Sequence, residues 1–246
     1  MLMRLCTVVL LVLASLRVNA ASVTGVIIAS EAVSSPAVNV AAVDQVHTTN
    51  RSGLTDLGSV SGAQNQMEET RREYEESLKT YRQLAKKEPE TYLPHVAATL
   101  NDLGLLDSDQ NRIERARKEF EEALQTYREL AQKERETYLP HVAITLNNLG
   151  IFDSDQNQMN EARMEYEEAL KIYHELAEKE PETYLPYVAA TLNNLGILDR
   201  ARNRPAEARM AFEEAMKIYE PFAKQDPDQF SPLVERIKKL LTHLPK

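Results

Sequence analysis

Apolar residues recur every three or four positions through most of the chain, which is the spacing of a buried stripe along one side of an α-helix. After Thr91 the stripe consists of Leu93, Val96, Ala97, Leu100, Leu103 and Leu106. We expect a helix that begins near Thr91. Pro94 then falls in its first turn, where the N–H that proline lacks would have no helical partner.

The polar run at residues 107–111 interrupts this stripe and predicts a turn, because Asp, Ser and Asn favour turns over helix interiors. Asn111 is expected to adopt the left-handed conformation, which asparagine accepts more readily than most residues. A second helix follows, with an apolar stripe of Ile113, Ala116, Phe120, Ala123, Leu124, Tyr127 and Leu130. Its other side is charged and is interpreted as a solvated face.

This predicted helix pair is repeated with a period of 46 residues. The motif Glu-Thr-Tyr-Leu-Pro has its tyrosine at Tyr92, Tyr138 and Tyr184, and Phe230 continues the series. The same period relates the prolines Pro94, Pro140, Pro186 and Pro232, and the asparagines Asn65, Asn111, Asn157 and Asn203. A fixed period of this length indicates stacked supersecondary units rather than one compact fold.

The repeating positions resemble the tetratricopeptide repeat, which has an apolar residue, Leu-Gly, a small turn residue and then Ala, aromatic and Ala positions. The second unit has Leu100, Leu103, Gly104, Asn111, Ala116, Phe120 and Ala123, and the third has Leu146, Leu149, Gly150, Asn157, Ala162, Tyr166 and Ala169. The fourth has Leu192, Leu195, Gly196, Asn203, Ala208, Phe212 and Ala215. The first is a worn copy with Leu54, Leu57, Gly58, Asn65, Thr70, Tyr74 and Ser77.

Two features depart from the family pattern. Asp107, Asp153 and Asp199 stand where a tyrosine is expected after Leu-Gly, and the period is longer than the usual 34 residues. The repeat is therefore most similar to the long-repeat type typified by kinesin light chains. The resemblance implies an all-α, right-handed superhelical solenoid of antiparallel helix pairs. It also implies a non-catalytic scaffold for protein–protein interaction.

The sequence divides into four predicted parts. Residues 1–20 have a basic start, an apolar run of 12 residues and a small residue at Ala20, which is typical of a secretory signal peptide. The run is too short for a membrane anchor, which needs about 20 residues. Residues 21–52 are interpreted as a linker or poorly ordered arm, residues 53–230 as about four repeat units, and residues 231–246 as a capping helix. We expect an exported protein, periplasmic or secreted, or a cytoplasmic one if the signal does not function.

Charge and composition exclude several classes of function. The net charge of −9 and the pI near 5.2 do not fit a surface that neutralises phosphates, so no nucleic-acid partner is expected. No nucleophile elbow, phosphate loop or zinc-protease motif occurs, and the one cysteine, Cys6, lies in the apolar run, so we expect no enzyme and no cofactor. His95 and His141 share one repeat position, but two ligands do not make a metal site.

The resemblance also implies a binding groove on the concave side. In relatives that bind extended peptides, polar residues just before the Leu-Gly contact the ligand, and the matching residues here are Asn101, Asp102, Asn147, Asn148, Asn193 and Asn194. Leu105, Ile151 and Ile197 should extend this strip with apolar contacts. An amide both donates and accepts hydrogen bonds, so it can pair with any peptide backbone. The alternative is that these residues are polar without a fixed ligand.

The expected ligand is a neutral or basic segment of a protein or peptide. No Lys or Arg occurs between Thr91 and Gln110 or between Thr137 and Asn157, whereas Asp102, Asp107, Asp109, Asp153 and Asp155 lie nearby in sequence. Two other functions stay open. The chain could self-associate as a structural repeat protein, with homo-oligomers, or it could be a fragment of a larger sensor or adaptor.

Overall fold

The computed structural model describes residues 57–245, and these form eight α-helices without any strand. The helices are α1 (Leu57–Ala85), α2 (Pro89–Asp109), α3 (Ile113–Lys133), α4 (Arg135–Asp155), α5 (Met159–Lys179), α6 (Pro181–Ala201), α7 (Pro205–Gln225) and α8 (Pro227–Thr242). None of these helices is both long and apolar enough to cross a membrane. The signal peptide and the arm predicted over residues 1–20 and 21–52 lie outside the described residues.

Each helix packs against its neighbour in the chain, and the pairs then stack on one another. Unit 2 consists of α2 and α3, unit 3 of α4 and α5, and unit 4 of α6 and α7, while α1 precedes them and α8 follows. The first helices of successive units, α2, α4 and α6, also contact one another directly. One apolar cluster runs from Ala97 in α2 to Leu244, beyond α8. The predicted all-α superhelical solenoid of antiparallel helix pairs is confirmed.

An aromatic ring fills the space between the two helices of each unit, opposite a glycine. A Cβ atom added to Gly104 would lie 2.8 Å from the ring of Phe120, and one added to Gly150 would lie 2.7 Å from Tyr166. Such distances are shorter than any normal carbon contact, so a side chain at either glycine would force the ring to move. The missing side chain allows the two backbones to approach.

The turn between the paired helices has the same hydrogen bonds in all three units. In unit 2 the N–H of Asn111 donates to the carbonyl of Ser108 (2.9 Å), and the N–H of Arg112 donates to the carbonyl of Asp107 (2.8 Å). This is a Schellman motif, which needs a left-handed residue at its centre. Asn111, Asn157 and Asn203 have φ values of 57°, 60° and 56°, so the predicted conformation is confirmed.

The structure corrects one expected helix start. We expected the helix of unit 2 to begin near Thr91, but α2 begins at Pro89, so Pro94 lies inside the helix rather than in its first turn. Pro89 occupies the first helical position, where proline is preferred. Pro94 therefore removes the hydrogen bond to the carbonyl of Glu90. Val96 and Ala97, in the turn after Pro94, are buried in the core.

The ends of the array also differ from expectation. The period placed a turn at Asn65, but α1 continues through this residue as one helix. Residue 61 is Ser61, so unit 1 lacks the aspartate that each later unit has four residues before its left-handed asparagine. At the other end, α8 begins at Pro227 rather than at residue 231, and it buries Phe230 and Ile237 against the array.

Candidate functional site

The predicted groove residues lie on the first helices of the three units and differ in exposure. Those of unit 2, Asn101 and Asp102, are half-buried, and so are the aliphatic residues Leu105, Ile151 and Ile197. Four asparagines are buried, with exposed fractions of 5% for Asn147, 9% for Asn148, 3% for Asn193 and 7% for Asn194. In units 3 and 4 the strip is therefore aliphatic at its surface and has amides beneath.

The amides pair with one another across the junctions between units. Nδ2 of Asn148 donates to Oδ1 of Asn101 (3.1 Å), and Nδ2 of Asn194 donates to Oδ1 of Asn147 (3.2 Å). Both pairs join residues 47 positions apart, so the second asparagine of one unit reaches the first asparagine of the unit before it. We call this series the asparagine ladder. It ties together adjacent first helices.

The asparagine ladder ends at Asn193. Oδ1 of Asn147 accepts from Asn194 and lies 3.4 Å from the hydroxyl of Thr191, which donates to the carbonyl of Tyr187 (2.9 Å). Oδ1 of Asn193, in contrast, is buried without any hydrogen-bond partner among the described residues. One period after Thr191 and Asn194 the chain has Ile237 and Leu240, and neither side chain can donate. The last acceptor of the series therefore has no donor opposite it.

Asp102 stands at the start of the series, at the position that Asn148 and Asn194 occupy in later units. Burial raises the pKa of its carboxyl group to about 7, against the opposing effect of a hydrogen bond from Asn101. The charge also acts on two tyrosines, because Asp102 contributes to the raised pKa of Tyr74 in α1 and of Tyr127 in α3. Near neutral pH this carboxyl group is only partly ionised.

Two of the five aspartates expected near the groove are elsewhere. Asp107 and Asp153 are completely buried at the junctions, so they contribute no negative charge to the concave surface. Nε of Arg71 donates to Oδ1 of Asp107 (2.6 Å) and Nη2 donates to Oδ2 (2.9 Å), which is a bidentate pair. Arg117 also pairs with Asp153 between units, through a single contact between Nη2 and Oδ1. Asp109 and Asp155 are exposed at the ends of their helices.

The third junction has the same ion pair, between Arg163 and Asp199. Each arginine lies on the second helix of one unit, 36 residues before its aspartate in the next. The aspartates that replace the family tyrosine thus connect successive units. Sequence reasoning missed this role, although the signal was present, since Arg71, Arg117, Arg163 and Arg209 also follow the 46-residue period.

A glutamate accompanies two of these ion pairs. Burial raises the pKa of Glu119 to about 7, with a further contribution from the charge of Asp107 and an opposing one from Arg71. Burial and the neighbouring Asp153 raise the pKa of Glu165 in the same way. At these two junctions the glutamate and the aspartate therefore share the surroundings of one arginine, an arrangement in which one carboxyl group keeps its proton more readily. Ala211 replaces the glutamate in unit 4.

Two family models with the description "Tetratricopeptide repeat" match residues 96–134 and residues 142–220. The chain is a tetratricopeptide repeat protein. Its period agrees with the long-repeat, kinesin-light-chain-like type. A solved structure, the crystal structure of BtubC (BKLC) from P. vanneervenii, is similar with a TM-score of 0.50 and 20% sequence identity, over 73% of this chain and 75% of that chain. This likeness shows the fold alone. No curated protein gives a significant match.

The histidines of the tetratricopeptide array stack on aromatic rings. His95 stacks on Tyr81 with ring centres 5.0 Å apart, and His141 stacks on Tyr127 at 4.9 Å. Tyr187 takes the same place in unit 4 and stacks on Tyr173 at 5.2 Å. Burial lowers the pKa of His141, which favours the neutral ring. Within residues 57–245 no group of three or more His, Cys, Asp or Glu side chains could hold a metal ion.

Proposed function

We propose that this array is a non-catalytic scaffold that binds an extended segment of another protein along its concave side, across α2, α4 and α6. Tetratricopeptide repeats are typical of protein-interaction scaffolds, which supports the general function. The observation that carries the finer proposal is the row of half-buried aliphatic residues Leu105, Ile151 and Ile197 at one position of three first helices. An accessible apolar strip offers contact area to a ligand.

The asparagine ladder supplies the polar part of the proposed site. Asn148 and Asn194 donate through Nδ2, so each keeps its Oδ1 as an acceptor for a backbone N–H of the ligand. The ladder also fixes the two side chains before any ligand arrives, which reduces the entropic cost of binding. The spacing of the amides is set by helix packing and not by the ligand sequence. We therefore expect the amides to recognise the backbone of the ligand rather than its side chains.

The proposed ligand is a neutral or basic segment. Asp107 and Asp153 no longer support this choice, because their charges are compensated inside the array. Asp102 does support it, since a cation on the ligand would favour the ionised form of a carboxyl group whose pKa is about 7. Lys and Arg are absent from the concave positions of α2 and α4, so an acidic tail finds no counter-charge there.

A matched pair of variants tests the location of the site. Partners are first captured from an envelope extract and the bound segment is mapped by cross-linking and mass spectrometry. Ile151→Glu should weaken binding of this segment at least tenfold, since it places a charge in the apolar strip. Met164→Glu, at a side chain that is 63% exposed on a second helix, should leave the affinity unchanged. Equal losses in both variants, or no loss in Ile151→Glu, would contradict a concave site.

We also propose that the mature scaffold is exported after cleavage near Ala20 and that α8 closes the end of the array. N-terminal sequencing of the protein from the extracytoplasmic fraction tests the cleavage. An intact Met1 in protein from the cytoplasm would contradict it. Sedimentation velocity tests the alternative of self-association, and a monomer at every concentration would exclude that role.

A further inference from the structure

A cavity of about 360 Å³ lies at the edge of unit 4, between the start of α6 and the end of α7. We call it the edge cavity. Leu185, Ile218 and Phe222 form its apolar wall, and Pro221 lies beside them. Phe222 is held in place by Phe230 of α8, with ring centres 5.4 Å apart. The edge cavity is separate from the concave strip and has room for one side chain.

The corresponding edge of unit 3 is covered by two ion pairs. Nζ of Lys179 lies 2.6 Å from the carboxylate of Glu136, and Arg135 lies 2.8 Å from Glu175. Both pairs join the start of α4 to the end of α5. Unit 2 has the first of these pairs, between Lys133 and Glu90 at 2.5 Å.

Unit 4 has neither pair, because it lacks the lysine of units 2 and 3 and the arginine and glutamate of unit 3. Gln225 replaces the lysine, and prolines replace both members of the second pair, at Pro181 and Pro221. Glu182, the partner that the lysine would have, is exposed beside the cavity.

The change in the ion pairs is accompanied by a change in burial. The residues of unit 3 that correspond to Leu185, Ile218 and Phe222 are Leu139, Ile172 and Leu176, with exposed fractions of 7%, 8% and 9%. Their counterparts in unit 4 are only half-buried. Units 3 and 4 have apolar residues at all three positions. Of these two units, only unit 4 therefore has an accessible apolar wall.

The charge at the rim determines which ligand fits. Glu182 and Glu214 line the cavity, and neither forms an ion pair or hydrogen bond within the described residues. Lys217 lines it too, so the rim carries one net negative charge. An apolar wall with a negative rim is complementary to an apolar side chain next to a cation.

We propose that the edge cavity is a second binding site, which takes an apolar side chain of a protein segment whose next residue is Lys or Arg. The apolar side chain contacts Leu185, Ile218 and Phe222, and the cation lies between Glu182 and Glu214. This site does not depend on the concave strip, so the two can be occupied independently. A partner that reaches both would gain affinity from the linkage.

The probe for this site is the capped dipeptide acetyl-Phe-Lys-amide, followed by methyl NMR of Leu185 and Ile218. We expect saturable shifts of these methyl groups, with the Ile151 methyl groups in the concave strip unchanged. Acetyl-Phe-Glu-amide should bind about fivefold or more weakly, since each exposed charge contact is worth up to roughly that factor. Absence of saturable shifts, or equal binding of the two dipeptides, would overturn the proposal.

Two substitutions at one exposed residue supply the matched control. Gln225→Lys restores the lysine of units 2 and 3 and should cover the cavity, so binding of acetyl-Phe-Lys-amide should be lost. Gln225→Ala introduces no ion pair and should bind like the natural protein. Circular dichroism verifies that both variants keep their helices. Undiminished binding by Gln225→Lys, or equal loss in both variants, would count against the edge cavity.

Discussion

The guanidinium of Arg71 donates two hydrogen bonds to the carboxylate of Asp107, across the junction between α1 and unit 2. The side chain of Asp107 is fully buried and that of Arg71 is 8% exposed. A buried ion pair is worth little compared with apolar residues, but one partner without the other is costly. The repetition of this pair at three junctions makes it a device for the correct stacking of units.

Removing one partner should therefore destabilise the array. Asp107→Ala should lower the free energy of unfolding by about 3 kcal/mol, the lower end for a broken buried pair, because Glu75 and Glu119 stay close to Arg71. Urea titration followed by circular dichroism measures the effect. Glu168→Ala breaks an exposed pair with Arg128 and should cost less than about 0.5 kcal/mol. Similar losses for the two variants would contradict the burial argument.

Gly150→Ala should destabilise the protein although alanine is the better helix former. The added Cβ would lie 2.7 Å from the ring of Tyr166, and we expect a cost of about 1–3 kcal/mol from overpacking. Thermal unfolding provides the measurement. The double variant Gly150→Ala with Tyr166→Leu should recover part of the loss beyond what Tyr166→Leu alone predicts, since the smaller side chain frees the space. Strict additivity would show that the two residues do not compete.

The asparagine ladder gives a comparison between two equivalent residues. Asn147→Ala should cost about 1–3 kcal/mol, because the amide of Asn194 loses its acceptor. Asn193→Ala should cost about 1 kcal/mol less, since no described group donates to its Oδ1. Chemical denaturation of both variants under one set of conditions tests this order. A larger loss for Asn193→Ala would disprove it.

The raised pKa of Glu119 predicts a specific pH dependence. Because the folded-state pKa of about 7 exceeds the usual value of 4.5, the protonated form favours folding, and this contribution is lost as the pH rises from about 4.5 through 7. Relative to Glu119→Gln, the natural protein should lose about 1–2 kcal/mol between pH 5 and pH 8. The free energy of unfolding at both pH values gives the difference.

A control for this effect is Met164→Gln, an uncharged substitution at an exposed side chain of α5. Its pH dependence should match that of the natural protein. If the Glu119→Gln curve runs parallel to both, then Glu119 does not take up a proton on folding in this pH range. The neighbours of Glu119 that set its pKa are Asp107, Arg71 and Arg115.

The features that follow from local sequence were predictable. The stripe from Leu93 to Leu106 and the left-handed Asn111 depend on neighbours within one or two turns, so residue type and spacing determine them. The continuous α1 was not predictable, because Asn65 keeps the 46-residue period of the left-handed asparagines although the chain does not turn there. The 46-residue period does not show whether the residues of each unit are sufficient to form the turn.

The pairing at the junctions was the part of the site that sequence reasoning did not foresee. Asn148 and Asn101 are equivalent to residues that contact ligands in relatives. They were therefore interpreted as ligand-binding residues, and their contact with each other was not predicted. Contacts across a junction join positions 36 or 47 residues apart, and only the three-dimensional packing of units selects which of these positions meet. The arginine that pairs with each aspartate could have been identified by searching for charges of opposite sign with the same period.

Ile237 and Leu240 determine where further repeat units could be added to the array. A gene duplication that inserts another copy of unit 3 beside the original would keep its amides and its arginine–aspartate pair in phase, so the protein can lengthen from within. A block added after α8 would meet two aliphatic side chains in place of a hydroxyl and an amide, and its junction would lack the polar contacts of the others. The number of units can thus change during evolution while the C-terminal end is inherited unaltered.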